Sequence, residues 1–75
     1  MTDVLIRNEL GTAPIATARS DDAIGANDLR VTNLDPASLI NLVNDYMVGL
    51  EDGTQMSART CTAKVNNTAT FTRNP

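Results

Sequence analysis

The sequence predicts an α+β fold, a small two-layer domain in which one amphipathic helix, at about residues 36–51, packs on a small antiparallel sheet of short strands. Two observations predict it. An apolar stripe with helical spacing follows a capping residue at position 35. Short segments of alternating polarity lie on both sides of that stripe. The last of these segments contains an Asn-Asn pair and is predicted to form a C-terminal hairpin.

Length and composition predict a single small domain, residues 1–75, that needs support from other chains. The chain has one Phe, one Tyr, no Trp and no His, so large rings add little to a core. Domains below about 70–80 residues usually rely on disulfides, a metal or a partner chain. A single cysteine excludes an internal disulfide, and the absence of histidine argues against a zinc site. Oligomerisation remains, and we expect the N- and C-terminal segments to contact other subunits.

Three strands are predicted before the helix, at residues 3–10, 15–19 and 29–34. In the first strand, Val4 and Ile6 fall on one face and Leu5 falls on the other. The second strand follows Pro14, which suits the start of a strand or a sheet edge because proline cannot donate to a ladder. The third strand is indicated by a shorter alternation of apolar and polar residues.

The helix is predicted from its caps and its stripe. The carboxylate of Asp35 can accept a hydrogen bond from an unpaired backbone N–H, and Pro36 occupies the first helical position. The apolar side chains then recur every three or four residues: Leu39, Leu42, Val43, Tyr46, Met47 and Leu50. Gly53 is placed to end the helix in a left-handed conformation. Glu51 and Asp52 oppose the helix dipole there, so either this end is solvated or an arginine from this chain or a neighbour docks on it.

The tail after residue 53 is rich in threonine and predicts two strands joined at Asn66-Asn67, a pair that adopts positive φ readily. A two-residue turn at that pair predicts three cross-strand pairs: Val65–Thr68, Ala63–Thr70 and Cys61–Thr72. Neither face of this hairpin is cleanly apolar, so the register is weakly specified.

The sequence predicts no enzyme, no cofactor and no small-molecule substrate. The commonest general base, histidine, is missing, and Cys61 has no base near it in sequence, so we interpret it as a small buried hydrophobic residue. The loop Asp21–Asp28 offers hard oxygen ligands of the kind that Ca²⁺ takes, but its spacing does not match a calcium-binding loop. A solvated acidic loop without a metal is the prediction, and whether it binds an ion is left open.

Charge and hydropathy exclude several partners. The net charge of −3 and the sequence pI of about 4.5 argue against binding to nucleic acid, which needs several cations on one face. No apolar run approaches the roughly 20 residues that a membrane-spanning helix needs, and no signal peptide is visible at the start. We therefore expect a location in a virion or in the cytoplasm.

Some apolar side chains have no place between one helix and one thin sheet, and surplus apolar surface is typical of an interface. The predicted interface residues are Leu5, Ile15, Met56, Phe71, Arg73, Glu51 and Asp52. The favoured function is a structural subunit of a repetitive homo-oligomer, most plausibly a small phage virion protein that decorates a larger protein lattice. The alternative is an acidic module that masks a basic protein partner. Ionic strength distinguishes the two functions, because only the binding of a basic partner by an acidic module should weaken strongly as the salt concentration rises.

Overall fold

Six antiparallel strands close into a barrel in the computed structural model, which describes residues 2–8, 11–53 and 55–74. The elements are β1 (Thr2–Asn8), β2 (Pro14–Ser20), β3 (Asp28–Thr32), α1 (Pro36–Asn41), β4 (Tyr46–Asp52), β5 (Gln55–Val65) and β6 (Thr68–Arg73). Around the barrel the order is β1-β2-β3-β6-β5-β4, and β4 pairs with β1 to close it. The predicted α+β class is therefore wrong, and the protein is a small all-β domain.

The predicted helix begins where expected but ends ten residues early, at Asn41 instead of about residue 51. Its start follows the sequence argument, since the Asp35 Oδ1 accepts a hydrogen bond from the Ser38 N–H at 2.7 Å. Beyond Asn41 the chain turns at Asp45, which has a φ of 70°. From Tyr46 onward the backbone pairs with β1 on one side and β5 on the other. As a strand, this segment forms hydrogen bonds with neighbours on both sides and buries one face in the barrel interior. As a helix, it would only pack one face against a thin sheet.

The remaining strands are close to their predicted positions, but they contain two β-bulges that were not predicted from the sequence. Residues 9 and 10 of the first predicted strand lie outside the described residues. One bulge places Ile15 between the pairs Ile6–Ala16 and Arg7–Pro14. The other lies at Thr62, so the hairpin makes the predicted pairs Val65–Thr68 and Ala63–Thr70, but Cys61 pairs with Phe71 instead of Thr72. A bulge adds one residue to one strand and shifts every pair beyond it.

The core lies inside the barrel, where alternate residues of every strand meet. The buried apolar side chains contributed by the strands are Val4, Ile6, Ala18, Leu29, Val31, Val48, Leu50, Cys61, Ala69 and Phe71. Ile24, Leu34 and Leu42 add to this core from connecting segments. Cys61 is buried and free, which confirms its interpretation as a small core residue.

The two halves of the barrel are related by an approximate twofold rotation. Each half is a three-stranded meander, and the registers of the two meanders correspond at five residue pairs, although not at the bulges. The corresponding pairs are Thr2–Ser20 with Tyr46–Cys61, Val4–Ala18 with Val48–Arg59, Ile6–Ala16 with Leu50–Ser57, Arg19–Thr32 with Thr60–Thr72 and Ser20–Val31 with Cys61–Phe71. In this correspondence Ile6 matches its own partner Leu50, and Arg30 matches its own partner Thr70, so the axis passes through these two pairs.

Candidate interaction site at two open strand edges

The seam between β2 and β3 is only partly closed. β2 pairs with β1 along its whole length, from Pro14 to Ser20. Its pairing with β3 covers Arg19 and Ser20 alone. Residues 14–18, here called the β2 edge, therefore have no strand neighbour on the β3 side among the residues that the structure describes. Unpaired strand edges present main-chain donors and acceptors to any chain that can reach them.

The direction of the backbone identifies which groups of the β2 edge are presented. The Arg19 carbonyl oxygen accepts a hydrogen bond from the Thr32 hydroxyl at 3.4 Å, so it points toward β3. Main-chain groups of alternate residues point to the same side of a strand. The N–H and C=O of Thr17 therefore point out of the open seam. A groove of about 300 Å³ lies beside them, lined by Asp3, Thr17, Ala18, Arg19 and Asn33.

β5 has a shorter open segment, residues 55–57, here called the β5 edge. β5 pairs with β4 from Gln55 onward, whereas its pairing with β6 begins at Arg59. Asn74 continues beside β5 opposite Ala58, and its Oδ1 accepts from the Thr60 hydroxyl at 2.6 Å. Among the described residues, no strand pairs with residues 55–57 on the β6 side. The Cys61 carbonyl oxygen accepts from the Asp45 N–H at 2.6 Å and so points toward β4. By alternation, the N–H and C=O of Ala58 and Met56 point the other way, those of Ala58 toward Asn74 and those of Met56 out of the seam. A groove of about 450 Å³ lies here, lined by Ile24, Gly25, Gln55, Met56, Ser57 and Arg73.

Local sequence explains why the strands beside these edges stop. β3 ends because Asn33, with a φ of 62°, turns the chain toward α1. β6 ends at Arg73, whose N–H donates to the Asn27 carbonyl at 3.0 Å. The approximate twofold rotation places Thr17 at the position of Ala58, but the pair Arg59–Arg73 has no counterpart between β2 and β3. Thr17 on the β2 edge and Met56 on the β5 edge are both exposed.

Two arginines hold the connection between β2 and β3 next to the β5 edge. Arg59 points into the barrel and is fully buried. Its Nε donates to the Ser57 hydroxyl at 3.0 Å, and its Nη1 donates to the carbonyls of Asn27 at 3.2 Å and Phe71 at 3.4 Å. Its Nη2 donates to the carbonyl of Ile24. The guanidinium thus ties β5 and β6 to a loop that has no regular structure of its own.

Arg73 continues this clamp at the surface, where its guanidinium donates to the Gly25 carbonyl and its N–H donates to the Asn27 carbonyl at 3.0 Å. Burial lowers the pKa of Arg59, the nearby charge of Arg73 lowers it further, and Asp28 acts in the opposite direction. The two guanidinium groups lie on one side of the β5 edge, and Glu51 and Asp52 lie on the other, opposite Met56 and Gln55. The loop that was a candidate ion site is held by arginines through its carbonyls.

Within residues 2–8, 11–53 and 55–74, no group of three or more His, Cys, Asp or Glu side chains could hold a metal ion. The same residues include no helix long and apolar enough to cross a membrane. No protein-family model, curated protein sequence or solved structure matches the chain. What the protein does therefore has to be inferred from its own geometry.

The predicted interface residues are spread over the barrel. Phe71 is fully buried in the core, and Ile15 sits in the β2 bulge and packs against the core. Leu5 is half-buried on β1, directly opposite Thr17 of the β2 edge. Met56 belongs to the β5 edge and is half-exposed, at 50 %. The structure thus brings Leu5 and Ile15 to the first edge and Met56 to the second.

The charged members of the predicted interface have partners within the chain. Arg7 Nε lies 2.7 Å from Glu51 Oε2, so an arginine of this chain does pair with the Glu51-Asp52 segment, although on a strand and not at a helix end. Asp52 is half-buried at the end of β4. Arg73 borders the β5 edge through the clamp described above.

Sequence reasoning missed Thr17, whose main chain is presented at the β2 edge. Its side chain carries no signal, because the open seam depends on where the neighbouring strand ends. Pro14 was the available hint, since proline favours the start of an edge strand. Three further large apolar side chains, Ile40, Val43 and Val65, are exposed and were not among the predicted interface residues.

Proposed function

We propose that the protein is a non-enzymatic structural subunit that builds a repetitive assembly from copies of itself, of the kind found in phage virions. The observation that carries the proposal is the pair of open strand edges. Proteins normally cover, shorten or charge such edges to prevent pairing with other chains. Here one barrel keeps part of two edges open beside grooves, although Pro14 and the bulge at Ile15 shorten the first of them.

Main-chain pairing at an edge suits a structural contact. An added strand gains affinity from regular N–H···O=C bonds and specificity from the side chains beside them. Leu5 and Met56 offer apolar surface next to the two edges, and Ile40, Val43 and Val65 add exposed apolar surface elsewhere on the barrel. Contacts of this composition depend little on ionic strength. The acidic masking module is the competing proposal, and it requires the opposite dependence on salt.

The proposal is tested by the absolute mass of the wild-type protein, measured by light scattering after size exclusion over a concentration series at low and high salt. The expected result is a species well above the 8.0 kDa chain mass that persists at high salt. An 8.0 kDa monomer at every concentration would refute self-assembly. An assembly that dissociates as salt rises would favour contacts made by charge.

A matched pair of variants assigns the assembly to the β2 edge. Thr17→Pro removes the outward N–H and places a ring against any incoming strand, while the β1 ladder keeps its bonds because Thr17 does not donate to it. Thr17→Val keeps the main chain and changes only the side chain. Assembly should be lost in the first variant and kept in the second, with circular dichroism confirming that both fold. Equal assembly of both variants would exclude the β2 edge as the contact.

A further inference from the structure

We infer that the groove beside the β5 edge binds a carboxylate carried on an extended segment of another protein. The groove has a volume of about 450 Å³ and lies where the line of β6 would continue past Asn74. The inference does not depend on self-assembly, because the occupant is a different chain. The residues that line the groove are Ile24, Gly25, Gln55, Met56, Ser57 and Arg73.

The charge of its lining distinguishes this groove from two others on the barrel. Among the described residues, Arg73 is the one charged residue of the lining, and none is a carboxylate. The groove beside the β2 edge includes Asp3, and a groove of about 310 Å³ beside β3 includes Asp21 and Asp22. A protein with a net charge of −3 thus has a groove with a positively charged lining, and charge complementarity favours an acidic occupant.

The groove offers hydrogen-bond donors from a side chain and from the main chain. Arg73 is exposed, and a guanidinium has five N–H donors. Among the described residues, this guanidinium donates to the Gly25 carbonyl through Nη2. The planar fork of a guanidinium fits both oxygens of a carboxylate. The Met56 N–H points out of the seam, so an extended segment can pair with the main chain of the β5 edge beside this fork.

The Ser57 hydroxyl adds a donor that the buried guanidinium of Arg59 polarises. Ser57 Oγ accepts a hydrogen bond from Arg59 Nε at 3.0 Å, so its own proton is available to another acceptor. A hydroxyl that accepts from a cation becomes a stronger donor, since hydrogen bonds in a chain polarise one another. Arg59 is fully buried and does not contact the occupant. Its hydrogen bond to Ser57 nevertheless favours an anionic oxygen over a neutral one in the groove.

Acidic residues on the β4 side define the side of β5 on which the occupant lies. Glu51 is already paired with Arg7 at 2.7 Å, and Asp52 lies at the end of β4. Asp52 would repel a carboxylate placed on that side of β5. The occupant therefore lies on the β6 side, with its carboxylate between Arg73 and Ser57.

The test is the fluorescence anisotropy of a labelled peptide titrated with the full-length wild-type protein at low salt. The peptide alternates threonine and valine, which favour an extended backbone, around one central glutamate. In the matched control peptide a glutamine replaces the glutamate. Only the glutamate peptide should bind, and its affinity should fall as the salt concentration rises.

Variants place the binding in the groove. Arg73→Gln should weaken binding of the glutamate peptide at least about tenfold, because it removes the charge and the fork. Arg73→Lys keeps the charge without the fork, so its affinity should lie between those of the wild type and Arg73→Gln. Arg30→Gln is the matched control, because Arg30 is also exposed but lines the groove beside β3. It should bind like the wild type, with circular dichroism confirming that every variant folds.

Each other outcome overturns a definite part of the reasoning. Equal binding of the glutamine peptide would show that the carboxylate is not recognised. Unchanged binding by Arg73→Gln, or an equal loss in Arg30→Gln, would place the carboxylate outside this groove. Inorganic phosphate that displaces the peptide at an equal concentration would show a general anion site without preference for an extended segment. Binding of neither peptide would overturn the inference as a whole.

Discussion

Replacing Arg59 with methionine should destabilise the barrel strongly, although methionine keeps an apolar chain of similar length in the core. The substitution removes the donors that serve the carbonyls of Ile24, Asn27 and Phe71. Exchanging a whole buried ion pair for apolar residues is often neutral, because both polar partners disappear. Here the partners are main-chain carbonyls, which remain after the substitution and lose their hydrogen bonds.

The size of the effect follows from those bonds. A hydrogen bond to a charged group contributes about 1.5–3 kcal/mol, and an orphaned buried acceptor costs about 1–3 kcal/mol. Water can reach some of the carbonyls once the loop loosens, so we expect a net loss of about 3–5 kcal/mol for Arg59→Met. A chain of 75 residues has a total stability of about 4–11 kcal/mol, at roughly 0.05–0.15 kcal/mol per residue. The variant should therefore be partly unfolded without denaturant or unfold at much lower urea.

The assay is urea unfolding followed by far-UV circular dichroism, in the Thr17→Pro background so that self-association does not contribute to the measured stability. Arg73→Met is the control, because its guanidinium is exposed and should contribute at most about 1 kcal/mol. A loss below about 1 kcal/mol for Arg59→Met would refute the reasoning. It would mean that the free-energy cost of desolvating the Arg59 guanidinium is as large as the free energy that its hydrogen bonds contribute.

Three further results are expected. A Cβ on Gly49 would lie 2.9 Å from the Met56 methyl and 3.3 Å from the Asn8 carbonyl oxygen. The methyl ends a flexible, half-exposed side chain that can move aside, so Gly49→Ala should change the free energy of unfolding in urea by less than about 1 kcal/mol; a loss above about 2 kcal/mol would show that the backbone has to shift. Hydrogen bonds from the backbone and hydroxyl of Ser38 lower the pKa of Asp35, so its stabilisation is present above the unfolded-state pKa and lost as pH falls through the folded-state value. Asp35→Ala should therefore lose less stability than the wild type on acidification, and equal losses in parallel urea titrations would contradict this cap. Burial raises the pKa of the Cys61 thiol, so iodoacetamide should label it slowly in the native protein and rapidly in urea; rapid native labelling would contradict its burial.

The helix shows how far sequence patterns reach in this chain. Its N-terminal cap could be predicted because capping is local, and Asp35 binds the Ser38 N–H as expected. Its end could not, because the apolar stripe is ambiguous from Tyr46 onward. Tyr46, Val48 and Leu50 have the alternate spacing of residues on one face of a strand. Tyr46 and Leu50 also belong to the predicted helical stripe, so spacing alone does not distinguish the two structures. The local evidence against a helix was the turn-forming pair at 44–45 and a glycine at 49, which costs about 1 kcal/mol inside a helix.

The interaction site was beyond sequence reasoning for a different reason. An open edge exists where one strand extends beyond the end of its neighbour. Which strands become neighbours, and where each ends, is decided by pairing in the folded barrel. The identity of Thr17 says nothing about this, since its main-chain groups are the same as those of any residue but proline. The bulge at Thr62 was equally hidden, because a hairpin without an apolar face accepts either register.

The approximate twofold rotation also bears on how the chain reaches its folded state. Each meander has an inner apolar face that only the other meander can cover, so neither half should hold its structure alone. The seams that join them, β1–β4 and β3–β6, pair residues far apart in sequence. Chains dominated by such non-local pairs fold slowly compared with helical proteins of the same length. Until the seams close, each meander exposes additional unpaired edges to other nascent chains, so in a crowded cell the rate of seam closure decides between correct assembly and aggregation.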